Sequence, residues 1–354
     1  MTEGVAPVVV NAECARNGGT RSHLRAVLAA AEPGTFVPVF RTDAAPGWST
    51  AEPETGQPDG PLSLRERIRW ERQTLPAALR ELRPAVLLQP SNIGLLRDPG
   101  LPTVHVVHNV APFVRPLSAV AHGRLALRLG LLRVLTKRAL RRAAAVILLS
   151  ETARTLLGPT LPPTAMIIRP GCEPTEPPID PATRGRDLVV VAHLFRYKRV
   201  EDAIEAYAAA GLVGSGRRLL IYGGLYDGPY VAELQATIER LGLGADVDLL
   251  GARTGVEVRA AMRAAAVVLQ PSTCENAPQV VYECLADATP IVCSDISAHR
   301  ELVTGDHPAV GDVAAWSRAV TSALDAPRPP VAAIELGTWA AAAAAIAELC
   351  HGLA

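Results

Sequence analysis

The chain has 354 residues, in which 35 Lys and Arg balance 35 Asp and Glu while apolar residues make up 49%. That length suits about two domains of ~150 residues, the apolar content excludes a disordered chain, and a net charge of zero provides no overall field to gather phosphate backbones, which excludes nucleic acid as an expected partner. The six cysteines (Cys14, Cys172, Cys274, Cys284, Cys293 and Cys350) are scattered, with neither zinc-type spacing nor disulfide density, and read as reduced cytoplasmic thiols. No cationic stretch precedes the short apolar run near the start, and no window approaches the ~20 apolar residues of a membrane span, so the expected location is the cytoplasm.

In chain order, short β-branched runs alternate with helical patterns, the signature of parallel sheets covered by helices. Strands are expected at Pro7–Asn11, Phe36–Phe40, Ala85–Gln89, Val104–His108 and Val146–Ser150. Turn signals from Arg41 to Pro61 predict a long surface loop there. Five prolines between Arg169 and Gly185 suit neither a helix nor a central strand and mark a linker. The alternation then restarts, with strands expected at Leu188–Ala192, Leu219–Tyr222, Val247–Gly251, Val267–Gln270 and Ile291–Ser294, and an alanine-rich helix after Gly337. The expected organisation is an N-terminal domain over 1–168, a linker over 169–186, a second domain over 187–336 and a terminal helix over 337–354.

Four stretches carry candidate chemistry. Asn17-Gly18-Gly19-Thr20 follows the first strand and opens a helix, where paired glycines allow either close approach of an anion to backbone N–H groups or plain turn geometry. His108 stands at the end of an apolar strand, either reaching a ligand beyond the carboxyl end of the sheet or simply bonded to its loop. His193-Leu194-Phe195-Arg196-Tyr197-Lys198-Arg199 leads from a strand towards a helix with three cations in four residues, enough to neutralise a diphosphate, and positive charge at a helix start calls for an anion. In Pro271-Ser272-Thr273-Cys274-Glu275-Asn276-Ala277-Pro278, Asn276 or Ala277 is the expected helix cap with Pro278 in the first turn, placing Glu275 in the loop and Glu283 on the helix. Two such carboxylates, acceptor-only when ionised, can grip two sets of sugar hydroxyls; solvated glutamates are the alternative.

Taken together these residues resemble the retaining glycosyltransferases of the GT-B fold, family 4 type, a large bacterial family also called glycosyl transferases group 1. Its signature of two glutamates separated by seven residues matches Glu275 and Glu283, with Pro271-Ser272 before and Pro290-Ile291-Val292 and Ser294-Asp295 after. Gly18-Gly19 with His23 and Leu28, Lys198, Gly223-Gly224, Ser294-Asp295-Ile296 and Glu301 match further family positions in order. Two departures stand out: Ala192-His193-Leu194 replaces the usual Gly-Arg-Leu, leaving Arg196 or Arg199 to supply the missing charge, and Ala288 replaces a helix-ending glycine.

The resemblance implies two Rossmann-like α/β domains facing a crevice, with the terminal helix packing back on the first. It implies metal-independent transfer, with retention, of a sugar from a nucleotide-diphosphate sugar, UDP favoured over GDP, to a hydroxyl of a glycan, a lipid-linked molecule or a small natural product. The implied catalytic residues are His108, Lys198 and Glu275. The implied donor-binding residues are Gly18, Gly19, His193, Arg196, Lys198, Gly223, Asn276, Ala277 and Glu283, with no metal and no cofactor. The alternatives are a catalytically impaired binding or scaffold subunit, motivated by His193, and a GT-B phosphorylase or epimerase. A helix over 124–142 carries seven cations against a row of leucines, which suits weak contact with an anionic membrane or an ordinary surface helix with its leucines buried.

Overall fold

The computed structural model describes residues 7–16, 18–42, 47–51, 62–95, 97–114, 123–225, 227–326 and 328–354, with side chains omitted at 123–125. The chain divides into two compact units, Met1–Gly171 with Gly337–Ala354, and Cys172–Leu336. The division falls within the proline-rich stretch.

The first unit contains a six-stranded parallel sheet of β1 (Val8–Val10), β2 (Phe36–Pro38), β5 (Val86–Gln89), β6 (Thr103–Val107), β7 (Ala145–Leu148) and β8 (Ala165–Ile167), in the order β2-β1-β5-β6-β7-β8. Central strands covered on both faces read as unbroken apolar runs, and β5 and β7 are buried at every position. The run around β8, which includes a 38%-exposed Met166, lacks that pattern and was not anticipated from sequence. The stretch expected to be an irregular loop also contains structure: β3 (Phe40–Arg41) pairs antiparallel with β4 (Trp48–Ser49). Two-residue strands are too short to show alternation, and the residues between them and after Ala51 fall largely outside the described set.

The C-terminal helix, Trp339–His351, belongs to this first unit, where it packs against the helix Gly18–Ala30. A Cβ on Gly171 would lie 2.1 Å from the Trp339 backbone nitrogen, so only glycine lets the two segments cross.

The second unit holds β9 (Leu188–Val191), β10 (Leu219–Tyr222), β11 (Val247–Gly251), β12 (Val267–Gln270) and β13 (Ile291–Cys293), all parallel, in the order β11-β10-β9-β12-β13. Its core joins Leu188, Val190, Leu219, Ile221, Val267 and Leu269 from the sheet to Tyr207, Tyr230 and Trp316 from the helices. The strand order reverses between β9 and β12, because the chain first winds outward through β10 and β11 and then returns to the other side of β9. A crevice outside the carboxyl ends of the strands opens at such a reversal.

Candidate active site

The loops that leave β9 and β12 carry Lys198 and Glu275. Two hydrogen bonds tie the loops together: the Thr273 backbone N–H and its hydroxyl both donate to the Tyr197 carbonyl, at 2.9 Å each. Held this way, Lys198 Nζ lies 2.6 Å from Glu275 Oε1. Both side chains are largely buried, at 17% and 12% exposure. Burial opposes both charges, but their attraction wins: Lys198 is held above the usual ammonium range and Glu275 below the usual carboxylate range.

Sequence reasoning missed the polar shell that supports Glu275. Gln270, the last residue of β12 and 2% exposed, donates through Nε2 to Glu275 Oε1 at 2.9 Å. Its own Oε1 is buried without a hydrogen-bond partner. The Ser294 hydroxyl donates to the Ser272 carbonyl at 2.5 Å, and His299 Nδ1 lies 2.9 Å from the Ser294 carbonyl. A carbonyl only accepts, so Nδ1 carries the proton and the partnerless, buried Nε2 is an acceptor. Burial, only partly offset by the Glu275 charge, pushes the His299 imidazole down to about 4 and so keeps it neutral. The available signal was a polar residue ending an otherwise apolar strand, Val267-Val268-Leu269-Gln270.

Glu283 lies one turn into the helix Gln279–Ala286. That helix starts later than expected: Pro278 is its N-cap and lies in extended backbone, and Asn276 and Ala277 stay in the loop before it. The residue before a proline is pushed out of helical geometry, which keeps Ala277 out of the first turn. Burial raises the Glu283 carboxyl to about 7, opposed by Arg259 and reinforced by Asp287. Arg259 offsets it only in part because its guanidinium is committed to Asp287 Oδ2 at 2.8 Å and the Glu173 carbonyl at 2.7 Å.

The remaining cations are engaged elsewhere. Arg196 is exposed and bonded to Glu233, at 2.8 Å for one of its two contacts, with its guanidinium over the Tyr230 ring. Arg199, in left-handed backbone, pairs with Glu201 at 2.9 Å and Asp202 at 2.6 Å. Both guanidinium groups are therefore paired with carboxylates in the structure. His193 Nδ1 instead accepts the Gly224 backbone N–H at 3.1 Å, which anchors the Gly223-Gly224 turn beside the end of β9. Gly223 has φ 147°, and a Cβ there would sit 1.9 Å from the Ala192 carbonyl oxygen, so backbone crowding alone requires this glycine.

In the first unit, Gly18 and Gly19 open the helix Gly18–Ala30, and a Cβ on Gly19 would meet nothing within 4 Å. Packing therefore does not explain the glycine there; Asn17 lies outside the described residues. His108 follows β6, and Asn92 Oδ1 accepts its backbone N–H and that of Asn109, at 2.9 Å each. Its ring stands edge-on to His23 with centroids 4.9 Å apart, and His23 meets Trp339 at 5.4 Å. Burial lowers both imidazoles, His23 to about 4 and His108 well below its usual value, with His23 adding to the effect on His108. His105 is structural, with Nδ1 donating to the Ser91 carbonyl at 2.9 Å.

A lysine and a glutamate thus meet where the order of this parallel sheet reverses, with a second glutamate on the helix that follows. Residues 176–337 match the model of glycosyl transferases group 1. That match spans most of the second unit and under half of the chain. The chain is 26% identical over 291 residues to a 2-deoxystreptamine glucosyltransferase of Streptomyces kanamyceticus, covering 77% of this chain and 73% of that one. A shorter segment of 112 residues is 36% identical to an exopolysaccharide phosphotransferase of Streptomyces coelicolor; it covers 32% of this chain and spans only 12% of that relative's length. Anabaena HepE, solved with UDP and glucose, superimposes with a TM-score of 0.66 at 17% identity over 97% of this chain and 95% of that one. The fold is GT-B.

Proposed function

We propose that this glycosyltransferase moves a sugar, with retention and without a metal ion, from a nucleotide-diphosphate sugar to an acceptor hydroxyl. The observation that carries this reading is the buried Lys198–Glu275 pair at the strand-order reversal, with Glu283 one helical turn beyond. Lys198 holds the donor diphosphate and Glu275 the hydroxyls of the transferred sugar. Glu283 takes the ribose, and Gly18 and Gly19 present backbone N–H groups to phosphate. His108 contacts the sugar being transferred. Cleavage of the glycosidic bond builds negative charge on the leaving diphosphate, so a fixed ammonium there stabilises the transition state more than the ground state.

In the structure the ammonium is paired with Glu275. Donor binding therefore exchanges one anion for another on Lys198, while Gln270 Nε2 keeps hold of the carboxylate that Lys198 releases. A uridine donor is supported by the UDP in the HepE structure, and a small polyhydroxylated natural product as acceptor by the relative that glucosylates 2-deoxystreptamine.

Thermal shift with UDP-, GDP-, dTDP- and ADP-sugars, followed by nucleotide release with and without acceptors, tests the reading. One donor should raise the melting temperature through selective binding to the folded state, and nucleotide release should rise when acceptor is added. Binding without release in any combination would instead favour a binding subunit, the reading motivated by His193 standing where the family has arginine.

A further inference from the structure

We infer that the helix Gly123–Arg142 docks the protein on an anionic lipid bilayer through an exposed apolar stripe framed by arginines. The helix contains Arg124, Arg128, Arg133, Lys137, Arg138, Arg141 and Arg142 and no acidic residue. In a chain of zero net charge this concentrates seven positive charges on about 30 Å of helix, at 1.5 Å per residue. Thr136, Ala139 and Leu140 are buried against the unit, with Leu129, Leu132 and Leu135 partly covered. An ordinary surface helix would turn its other leucines inward too. Here Leu127, Leu131 and Val134 are 75%, 57% and 63% exposed.

Their spacing of four and then three residues puts them on one stripe of the solvent side. The same side continues into exposed Arg138, Arg141 and Arg142, and Arg128 flanks it. Val134, Lys137, Arg138, Arg141 and Arg142 together line an open depression, so the end of the apolar stripe and four cations converge on one spot. The buried face shows that the helix already has its partner within the unit. The exposed stripe is additional.

Charge and apolarity together select the occupant. A nucleic acid would reward the cations but leave three large aliphatic side chains without a complement. A second copy of this chain meeting the same patch about a two-fold axis would set Arg128, Lys137, Arg138, Arg141 and Arg142 against the same five cations. A bilayer carrying anionic lipids satisfies both halves: headgroups neutralise the arginines, and the leucines and valine enter the boundary between headgroups and acyl chains, some 5–10 Å deep.

Sedimentation of the whole chain with vesicles of phosphatidylcholine alone, or of phosphatidylcholine mixed with phosphatidylglycerol, tests the inference. The protein should pellet with the mixed vesicles only, and less so as salt screens the cations. The variant R138Q/R141Q/R142Q should bind about a hundredfold more weakly, at about fivefold per cation. L127S/L131S/V134S should lose at least about a hundredfold, since each side chain gives up most of an apolar burial. The replaced side chains in the second variant are more than half exposed, so its melting temperature should stay that of the native chain; should the triple variant misfold, Leu127→Ser alone should weaken binding in the same direction. Equal binding to both vesicle types, no binding to either, or no loss in either variant overturns the proposal. So does a dimer in solution that L127S/L131S/V134S dissolves.

Discussion

The two units share an architecture, and each places histidines and polar side chains near the carboxyl ends of a parallel sheet, yet the groups that meet there differ. At the order reversal of the second unit, a buried ammonium and a buried carboxylate stay ionised because each is the other's partner. In the first unit, burial lowers the buried His23, His105 and His108 imidazoles, and among the described residues no anion outweighs that desolvation. The order reversal of its own sheet, between β1 and β5, is closed by neutral hydrogen bonds: Trp70 Nε1 donates to Asn11 Oδ1 and Asn11 Nδ2 to Gln89 Oε1, both at 2.9 Å. The same topology thus sets a buried lysine–glutamate pair at the order reversal of one unit and, in the other, neutral hydrogen bonds with the buried pairs Arg16–Glu13 and Arg67–Glu71 nearby.

Breaking the charged pair has the largest expected effect. Lys198→Ala strands Glu275 in a buried setting, so the second unit should lose about 3–5 kcal/mol of stability. Its kcat should fall by about 10²–10³, the typical loss for one electrostatic contact to a developing anion. Denaturant melts and nucleotide release measure the two separately; unchanged values for both would remove Lys198 from the site. His108→Ala, by contrast, removes a neutral contact and should lower turnover without unfolding either unit.

Acidification sharpens the contrast between the units. A histidine whose folded pKa lies below its unfolded value loses stability as pH falls, because the unfolded state takes up the proton first. For His23 the window runs from 6.5 down to about 4 and contributes up to about 3 kcal/mol, with His105 and His108 acting in the same direction. In the second unit His299 behaves likewise, but Glu283 opposes it, gaining stability as pH falls from about 7 to 4.5. Calorimetry between pH 7 and 5 should therefore show the first unit melting ahead of the second. A second unit that melts first would contradict the assignment of neutral histidines to the first.

Glu283→Gln isolates one part of that balance. Removing a carboxyl raised to about 7 should stabilise the second unit by up to about 3 kcal/mol above that pH, with the gain vanishing below about 4.5. The same variant should raise the donor KM more than it lowers kcat, because the ribose does not change during transfer. The smallest effect is structural. Ala288 adopts φ 52° after the helix that carries Glu283, so Ala288→Gly should add about 1 kcal/mol by relieving left-handed strain, with kinetics unchanged.

These contrasts separate what local sequence could determine from what it could not. Ten strands were legible within a residue or two because buried parallel strands are unbroken apolar runs between turn signals, as in Leu188-Val189-Val190-Val191 and Val267-Val268-Leu269. The spacing of Glu275 and Glu283 and the presence of Lys198 were equally plain, and all three lie within the matched residues 176–337. Strand order, however, belongs to the sheet as a whole, and it is the return of β12 to the side of β9 that sets Lys198 against Glu275 across 77 residues of chain. Only that packing reveals that Arg196 is held by Glu233, that His193 serves a glycine turn, and that Gln270 and His299 stand behind the carboxylate. The same holds for the helix Gly123–Arg142: its composition was readable from sequence, but which leucines face inward depends on what the rest of the unit covers, and tertiary packing left Leu127 and Leu131 in the open. Periodicity is set by neighbours along the chain, whereas charge pairing and exposure are set by neighbours in space.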